Sequence, residues 1–178
     1  MSINQKIFLK INTLQKRNSS IDAVINFFAQ YYLFVHGAIA LYIMSSNWEM
    51  FGQRWFIVTA LTLGFAIMLS YLTGVLHKHP RPIVTFPNIH QLFKPMETWK
   101  SFPSDHTIMS LSFFWPLLVL PVSIGSMMFF LCGGVLIGAS RVFGGVHYPA
   151  DIVGGIIYSG VTCYIVIILI RYLNLFIV

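Results

Sequence analysis

The sequence predicts an all-α integral membrane protein: five transmembrane helices, with an amphipathic helix ahead of them on the membrane surface. Three observations carry that prediction. Hydrophobic residues make up 57% of the 178 and charged residues 9%, with a mean hydropathy of +0.76, whereas soluble domains carry about 25% charged residues. Five apolar runs reach the roughly 17 to 25 residues that a helix needs to cross a bilayer. The arginines, histidines and carboxylate with chemistry to offer stand at the ends of those runs. This composition excludes a soluble globular domain, and without a linker, repeat or low-complexity segment, residues 1–178 are expected to form one membrane-embedded domain.

The N-terminal stretch, residues 1–20, is expected to lie on the membrane and not to span it. Over Ser2 to Arg17, the residues Ile3, Ile7, Phe8, Ile11 and Leu14 share one helical face, with Lys6, Lys10, Lys16 and Arg17 around the remainder. The stretch is too polar, and too poor in small residues, for a cleavable signal peptide. The spanning runs follow at Ile21 to Met44, Trp55 to Leu76, Ser104 to Pro121, Ser123 to Phe143 and Ala150 to Leu173. Antiparallel crossings put the end of the second run, the start of the third, the end of the fourth and the start of the fifth at one face. The loop 77–103 crosses that mouth, where Phe86, Leu92, Phe93, Met96 and Trp99 are expected to dip into the interface.

Arg81, then Ser104 and His106, then Arg141, then His147 and Asp151 fall at those four places. A phosphoryl group in transit spreads negative charge over its equatorial oxygens, so a site that moves it needs fixed cations and N–H donors. Arg81 and Arg141 suit the clamp, because a planar guanidinium holds two phosphate oxygens and stays charged. One histidine can attack phosphorus while the other protonates the departing oxygen. With Pro149 in the first turn of a helix, Asp151 reaches back to His147 and fixes its tautomer. Ser104 is placed to cap the third run, which also aims the backbone N–H groups around Asp105 at an anion.

The segments Arg81-Pro82, Ser101-Phe102-Pro103-Ser104-Asp105-His106 and Ser140-Arg141 with His147 and Asp151 resemble the type 2 phosphatidic acid phosphatase superfamily. Its motifs read K-x6-R-P, P-S-x-H and S-R-x5-H-x3-D; the second and third match at every defined position. In the first, Gly74 stands where the family has lysine, and Lys78 is near enough to substitute. Within the superfamily the chain is similar to small bacterial undecaprenyl pyrophosphate phosphatases of the bacitracin-resistance type, including the segment Phe8 to Asp22. The resemblance implies His147 as nucleophile, His106 as acid and then base, and Asp151 as orienting group. It also implies phosphate contacts from Arg81, Arg141, Ser104, Asp105 and Lys78. The implied partners are a membrane lipid phosphate and the bilayer, with no cofactor, metal or nucleic acid; the oligomeric state stays open. Relatives acting on lipid A phosphate or phosphatidylglycerol phosphate, a lipid phosphotransferase, and an anion transporter or channel remain as alternatives.

Other residues have plainer roles. His36, within the first run, is expected to hydrogen-bond a neighbouring helix. His77, His79 and His90 include an H-x-H spacing that a metal would accept, but the resemblance is to a superfamily that works without metal. Gly134 and Gly138, and the small face of Gly154, Gly155 and Ser159, suit close helix packing. Gly144 and Gly145 are expected to lend flexibility to a turn around phosphate, and Cys132 and Cys163, deep in apolar runs, to stay unpaired. Counting Lys and Arg puts the mouth in the cytoplasm by the positive-inside rule, whereas the resemblance implies the outer face of the cell membrane. The expectation follows the resemblance.

Overall fold

Every apolar run folds as helix, but not every run folds as one helix. The computed structural model describes residues 1–15 and 18–175, and among them the regular elements are all helical. Helix α1 (Ile3–Asn12) is followed by α2 (Ser19–Gln30) and α3 (Tyr32–Ser46); a π-helical turn at Trp48–Gly52 leads into α4 (Gln53–Leu76). The short α5 (Pro82–Thr85) lies in the long loop, then come α6 (Asp105–Ser112), a 3-10 turn at Trp115–Val119, α7 (Ile124–Phe143) and α8 (Pro149–Tyr172).

Three helical stretches are long and apolar enough to cross a membrane, Trp48–Leu76, Ile124–Phe143 and Pro149–Tyr172, and α2 with α3 makes a fourth if the bent pair counts as one span. The expected five continuous spans are therefore corrected in two places. The first run bends by 50° between α2 and α3. The carbonyl of Ala29, just before the bend, accepts Arg141 Nη1 at 3.0 Å, and a side chain entering the helical ladder is a recognised cause of a kink. The third run returns from the mouth as the eight-residue α6 and then a 3-10 turn. Pro116 explains the break, since it lacks an N–H and its ring crowds the carbonyl four residues back. Beyond the break the N–H of Leu117 bonds the carbonyl of Phe114, and the carbonyl of Phe113 accepts the indole N–H of Trp55 at 2.9 Å.

Short as it is, α6 sits at the centre of the bundle, packed against α3, α4, α7 and α8. Close approach makes this possible: a Cβ on Gly134 would lie 2.5 Å from Leu111, and one on Gly155 would lie 2.8 Å from Thr107. The buried hydroxyls of Ser110 and Ser112 donate to the carbonyls of Thr107 and Ile108 on the same helix, so they cost little inside the bundle. At the end away from the mouth, Met44, Phe51, Trp55, Leu117 and Phe130 form the main apolar core. His36 belongs with that core, fully buried among the rings of Tyr32, Phe113, Phe129 and Phe130. Ring packing surrounds it, beside the backbone of Ser110 on the neighbouring α6.

Helix α1 forms where the sequence places it, with Lys16 and Arg17 outside the described residues. Its buried side is a surprise of residue type: Phe8, Asn12 and Gln15 face the protein, while Ile3, Ile7 and Leu14 stay exposed. Asn12 exchanges hydrogen bonds with the backbone of His90, Gln15 Nε2 donates to the carbonyl of Phe143, and Asn4 accepts the N–H of Ala150 at 3.0 Å. The helix is thus clamped to the α7–α8 turn and the loop, leaving its apolar edge for lipid.

Candidate active site

The mouth is assembled from four helix ends and the loop 77–103. Ser123 caps α7 at its far end, and the last turn of the helix delivers Arg141 before the C-cap at Gly144. Gly145 then takes φ +82, and a Cβ there would lie 2.4 Å from the carbonyl of His90. A left-handed backbone in so little room requires glycine, so this turn is a fixed corner and not the flexible wrap expected of it. The corner places Val146, His147 and Tyr148 ahead of α8. Pro149 starts that helix, and Asp151 folds back to accept the N–H of Tyr148 at 2.7 Å.

The hydrogen bonds identify the tautomer of His147. Arg81 Nη1 lies 2.9 Å from His147 Nε2, and a guanidinium only donates, so Nε2 carries a lone pair. The proton is then on Nδ1, 3.3 Å from Asp151 Oδ2. Burial, reinforced by the nearby Arg81 and Arg141 charges, lowers the pKa of His147 from 6.5 to about 4 against the upward pull of Asp151. The ring is neutral at pH 7. Asp151, itself fully buried, also receives Ser101 Oγ at 2.5 Å, and its Oδ1 lies 4.0 Å from His79 Nδ1.

This titration has a consequence for stability. Between pH 6.5 and about 4 the unfolded chain binds a proton at His147 that the folded chain refuses, so stability falls as pH drops through that window. The slope from this group approaches about 1.4 kcal/mol per pH unit. Melting temperatures of the wild type and His147→Gln in detergent are expected to show a steeper acid loss for the wild type. Parallel curves would mean that His147 is not held neutral.

Arg81 is buried, donating Nη1 also to Val146 O at 3.0 Å and Nη2 to Glu97 at 2.5 Å. Arg141 is buried too, its guanidinium 4.9 Å from the centroid of the Phe93 ring. His106, in the first turn of α6, lies within Coulombic reach of Arg81, Arg141, His147 and Asp105. Ser104 accepts the Thr107 hydroxyl at 3.1 Å, which leaves its own O–H proton to donate elsewhere, and its N–H is tied to the Asp151 carbonyl at 3.0 Å. The structure thus brings Arg81, Ser104, Asp105, His106, Arg141, His147 and Asp151 to one place. Lys78, on the same loop, is exposed.

Three loop residues were not singled out in the sequence. Glu97 holds Arg81, Ser101 holds Asp151, and Lys100 is buried with its Nζ 2.6 and 2.8 Å from the two oxygens of Asp105. No spacing ties them to the motifs; only the proximity of Ser101 to Ser104 hinted at one. Phe93 likewise lies over Arg141 and against Gly144, correcting its expected place in lipid, while Met96 is 98% exposed and free to enter the interface. Among the described residues no group of three His, Cys, Asp or Glu side chains gathers as a metal-ligand set.

Geometry of this kind, a neutral histidine held by an aspartate beside two buried arginines at the end of a helical membrane bundle, suits an enzyme that handles phosphate, and comparison supplies the class. Residues 55–175 match the PAP2 superfamily, and the chain belongs to it. Among individual proteins it is 32% identical over 161 residues to the undecaprenyl-diphosphatase BcrC of Bacillus subtilis, covering 88% of this chain and 79% of that one. It is 30% identical over 154 residues to the bacitracin transport permease protein BcrC of Bacillus licheniformis, covering 86% and 73%. The fold is that of solved relatives: LpxE of Aquifex aeolicus superposes with a TM-score of 0.77 at 21% identity, over 94% of this chain and 96% of that one. A PAP2-type phosphatidylglycerolphosphate phosphatase of Bacillus subtilis superposes with a TM-score of 0.65 at 19% identity, over 92% and 82%.

Proposed function

We propose that the chain hydrolyses undecaprenyl pyrophosphate to undecaprenyl phosphate and inorganic phosphate through a phosphohistidine. The observation that carries this reading is the lone pair of His147 Nε2, oriented by Asp151 and set 2.9 Å from Arg81. The incoming terminal phosphate takes over the guanidinium donors of Arg81 and Arg141, the hydroxyl of Ser104 and the backbone around Asp105. Nε2 then attacks phosphorus; the bond to the bridging oxygen breaks, and that oxygen takes a proton from His106. A phosphate dianion beside His106 favours its protonated form. In the second half, His106 removes a proton from water, whose oxygen attacks phosphorus and releases phosphate from His147. The polyprenyl tail remains in the bilayer, so only the head group enters the mouth.

The substrate is drawn from the undecaprenyl-diphosphatase at 32% identity; the lipid A and phosphatidylglycerolphosphate readings rest on the fold alone. One relative is named a transport permease, which keeps transport as the second reading. Against it, the ion pairs seen among the described residues, at His79, Arg81, Lys100 and His147, collect at one end of the bundle. We place the mouth on the outer face of the cell membrane, as the resemblance implies, and set Arg81 and Arg141 aside from the charge count because an anionic substrate accounts for them.

The test is phosphate release from a panel of pure lipids, undecaprenyl pyrophosphate, lipid A and phosphatidylglycerol phosphate, by the purified chain without added metal. Release fastest from the first, unaffected by exhaustive chelation and inhibited by vanadate, is expected, because vanadate accepts five-coordinate geometry and a bond from His147 Nε2. Activity lost with chelator and restored by magnesium or zinc would set the phosphohistidine route aside. Export of an anion without phosphate release would establish the transport reading.

A further inference from the structure

We propose that Lys100 is a third phosphate-binding cation of this site, laid by the loop into the room that Gly74 leaves on α4. The inference rests on the phosphatase reading above and adds a residue to it. Taking an ammonium out of water costs several kcal/mol unless it is well paired, yet the Lys100 side chain is only 5% exposed. Its stem lies directly on the backbone of α4: a Cβ on Gly74 would come within 2.7 Å of Lys100 Cδ, 2.9 Å of Cγ and 3.2 Å of Cε. Any side chain at position 74 would displace it. Position 74 is also where the K-x6-R-P pattern puts lysine, so the missing ammonium is supplied to the same wall of the site from a different point in the chain.

The surroundings of Lys100 tie it to the chemistry. Its neighbour Ser101 donates Oγ to Asp151 and its backbone N–H to the carbonyl of His79 at 2.7 Å. Three residues earlier, Glu97 holds Arg81. The chain is therefore anchored to the site on both sides of Lys100. Its partner Asp105 begins α6, between Ser104 and His106, and is itself steadied by Ser70 Oγ at 2.6 Å. An ammonium has three donors. Asp105 takes two, and the third makes a long 3.4 Å bond to the carbonyl of Pro103, the weakest of the three and the one a phosphate oxygen would replace. Asp105 thus keeps the cation in position between turnovers.

A purely structural lysine, pinning the loop to α6, would give different results. Lys100→Met keeps the length of the stem and removes the charge. The expected outcome, in the purified full chain, is a fall in kcat/KM of about 100-fold, the scale for one transition-state donor. Vanadate binding, measured by calorimetry, should weaken about tenfold or more, with little change in melting temperature. The double variant Gly74→Lys with Lys100→Ala returns an ammonium to the same wall from α4 and is expected to recover at least about tenfold of the loss relative to Lys100→Ala. Unchanged vanadate binding in Lys100→Met, or no recovery in the double variant, would overturn the proposal. If Lys100→Met does not fold, Gly74→Ala answers the question, because its Cβ pushes the stem aside: weaker vanadate binding supports the role, and unaltered binding overturns it. The calorimetry needs no substrate, so a wild type that released phosphate from no lipid would defeat the phosphatase reading while still leaving a result for Lys100.

Discussion

His147→Ala is expected to reduce phosphate release by about 1,000-fold or more, the order of loss seen when a nucleophile is removed and binding alone remains. It should also abolish any acid-labile phosphoenzyme trapped by quenching turnover of a substrate labelled in its terminal phosphate. The prediction follows from the proton inventory of the site. Arg81 can only donate to Nε2, and Asp151 holds the proton on Nδ1, so the imidazole is presented with its lone pair toward the cations that would hold phosphate. His106→Ala should behave differently, slowing phosphoenzyme formation most where the leaving group is poor. A His147→Ala protein that kept more than a few per cent of activity would remove this residue as nucleophile.

Arg141→Lys is expected to lower turnover by about 100-fold, or about 2.7 kcal/mol of transition-state stabilisation. Charge is kept, but lysine cannot at once hold the Ala29 carbonyl, lie against the Phe93 ring and present two parallel donors to phosphate. Because the Ala29 contact sits at the α2–α3 bend, a loss of thermal stability is expected alongside. Vanadate inhibition separates the two effects, since a defect confined to the bend leaves the inhibition constant unchanged. Lys78→Ala is the comparison: the side chain is exposed, and its loss should cost less than about tenfold on the scale of a missing donor. Equal losses for Lys78 and Arg141 would reverse the ranking of these cations.

Glu97 shows how far a linear reading of such a site can go. Arg81 was visible because a motif fixes its neighbours; the carboxylate that holds it comes from a loop position with no motif around it. Lys100 was hidden for a related reason. Its importance depends on the absence of a side chain at Gly74 and on the direction in which the loop crosses α4, neither of which has a periodic signature. The interfacial helix was legible as a helix with an apolar face for the membrane, of which Ile3, Ile7 and Leu14 stay exposed while Phe8 turns inward. What had no signature is the docking by Asn12 and Gln15, which satisfies carbonyls and N–H groups of the α7–α8 turn and the loop.

The sequence by itself determined the class of the protein, the ends of α7 and α8 to within a residue, and the convergence of Arg81, Ser104, His106, Arg141, His147 and Asp151. Those depend on local quantities: the length of apolar runs, capping residues, and the fixed spacing by which one turn of helix brings Asp151 beneath His147. Tertiary structure alone decided the bend held by Arg141 at Ala29, the break of the third run whose Phe113 carbonyl is taken by Trp55, the contact of Arg81 with His147 Nε2 and the burial of Lys100 against Gly74. Each of these is a contact between residues many positions apart, and its free energy depends on what else has already been excluded from water. Burial turns Lys100 from one surface charge among several into a paired cation in the mouth of the site, and no property of the lysine itself announces that.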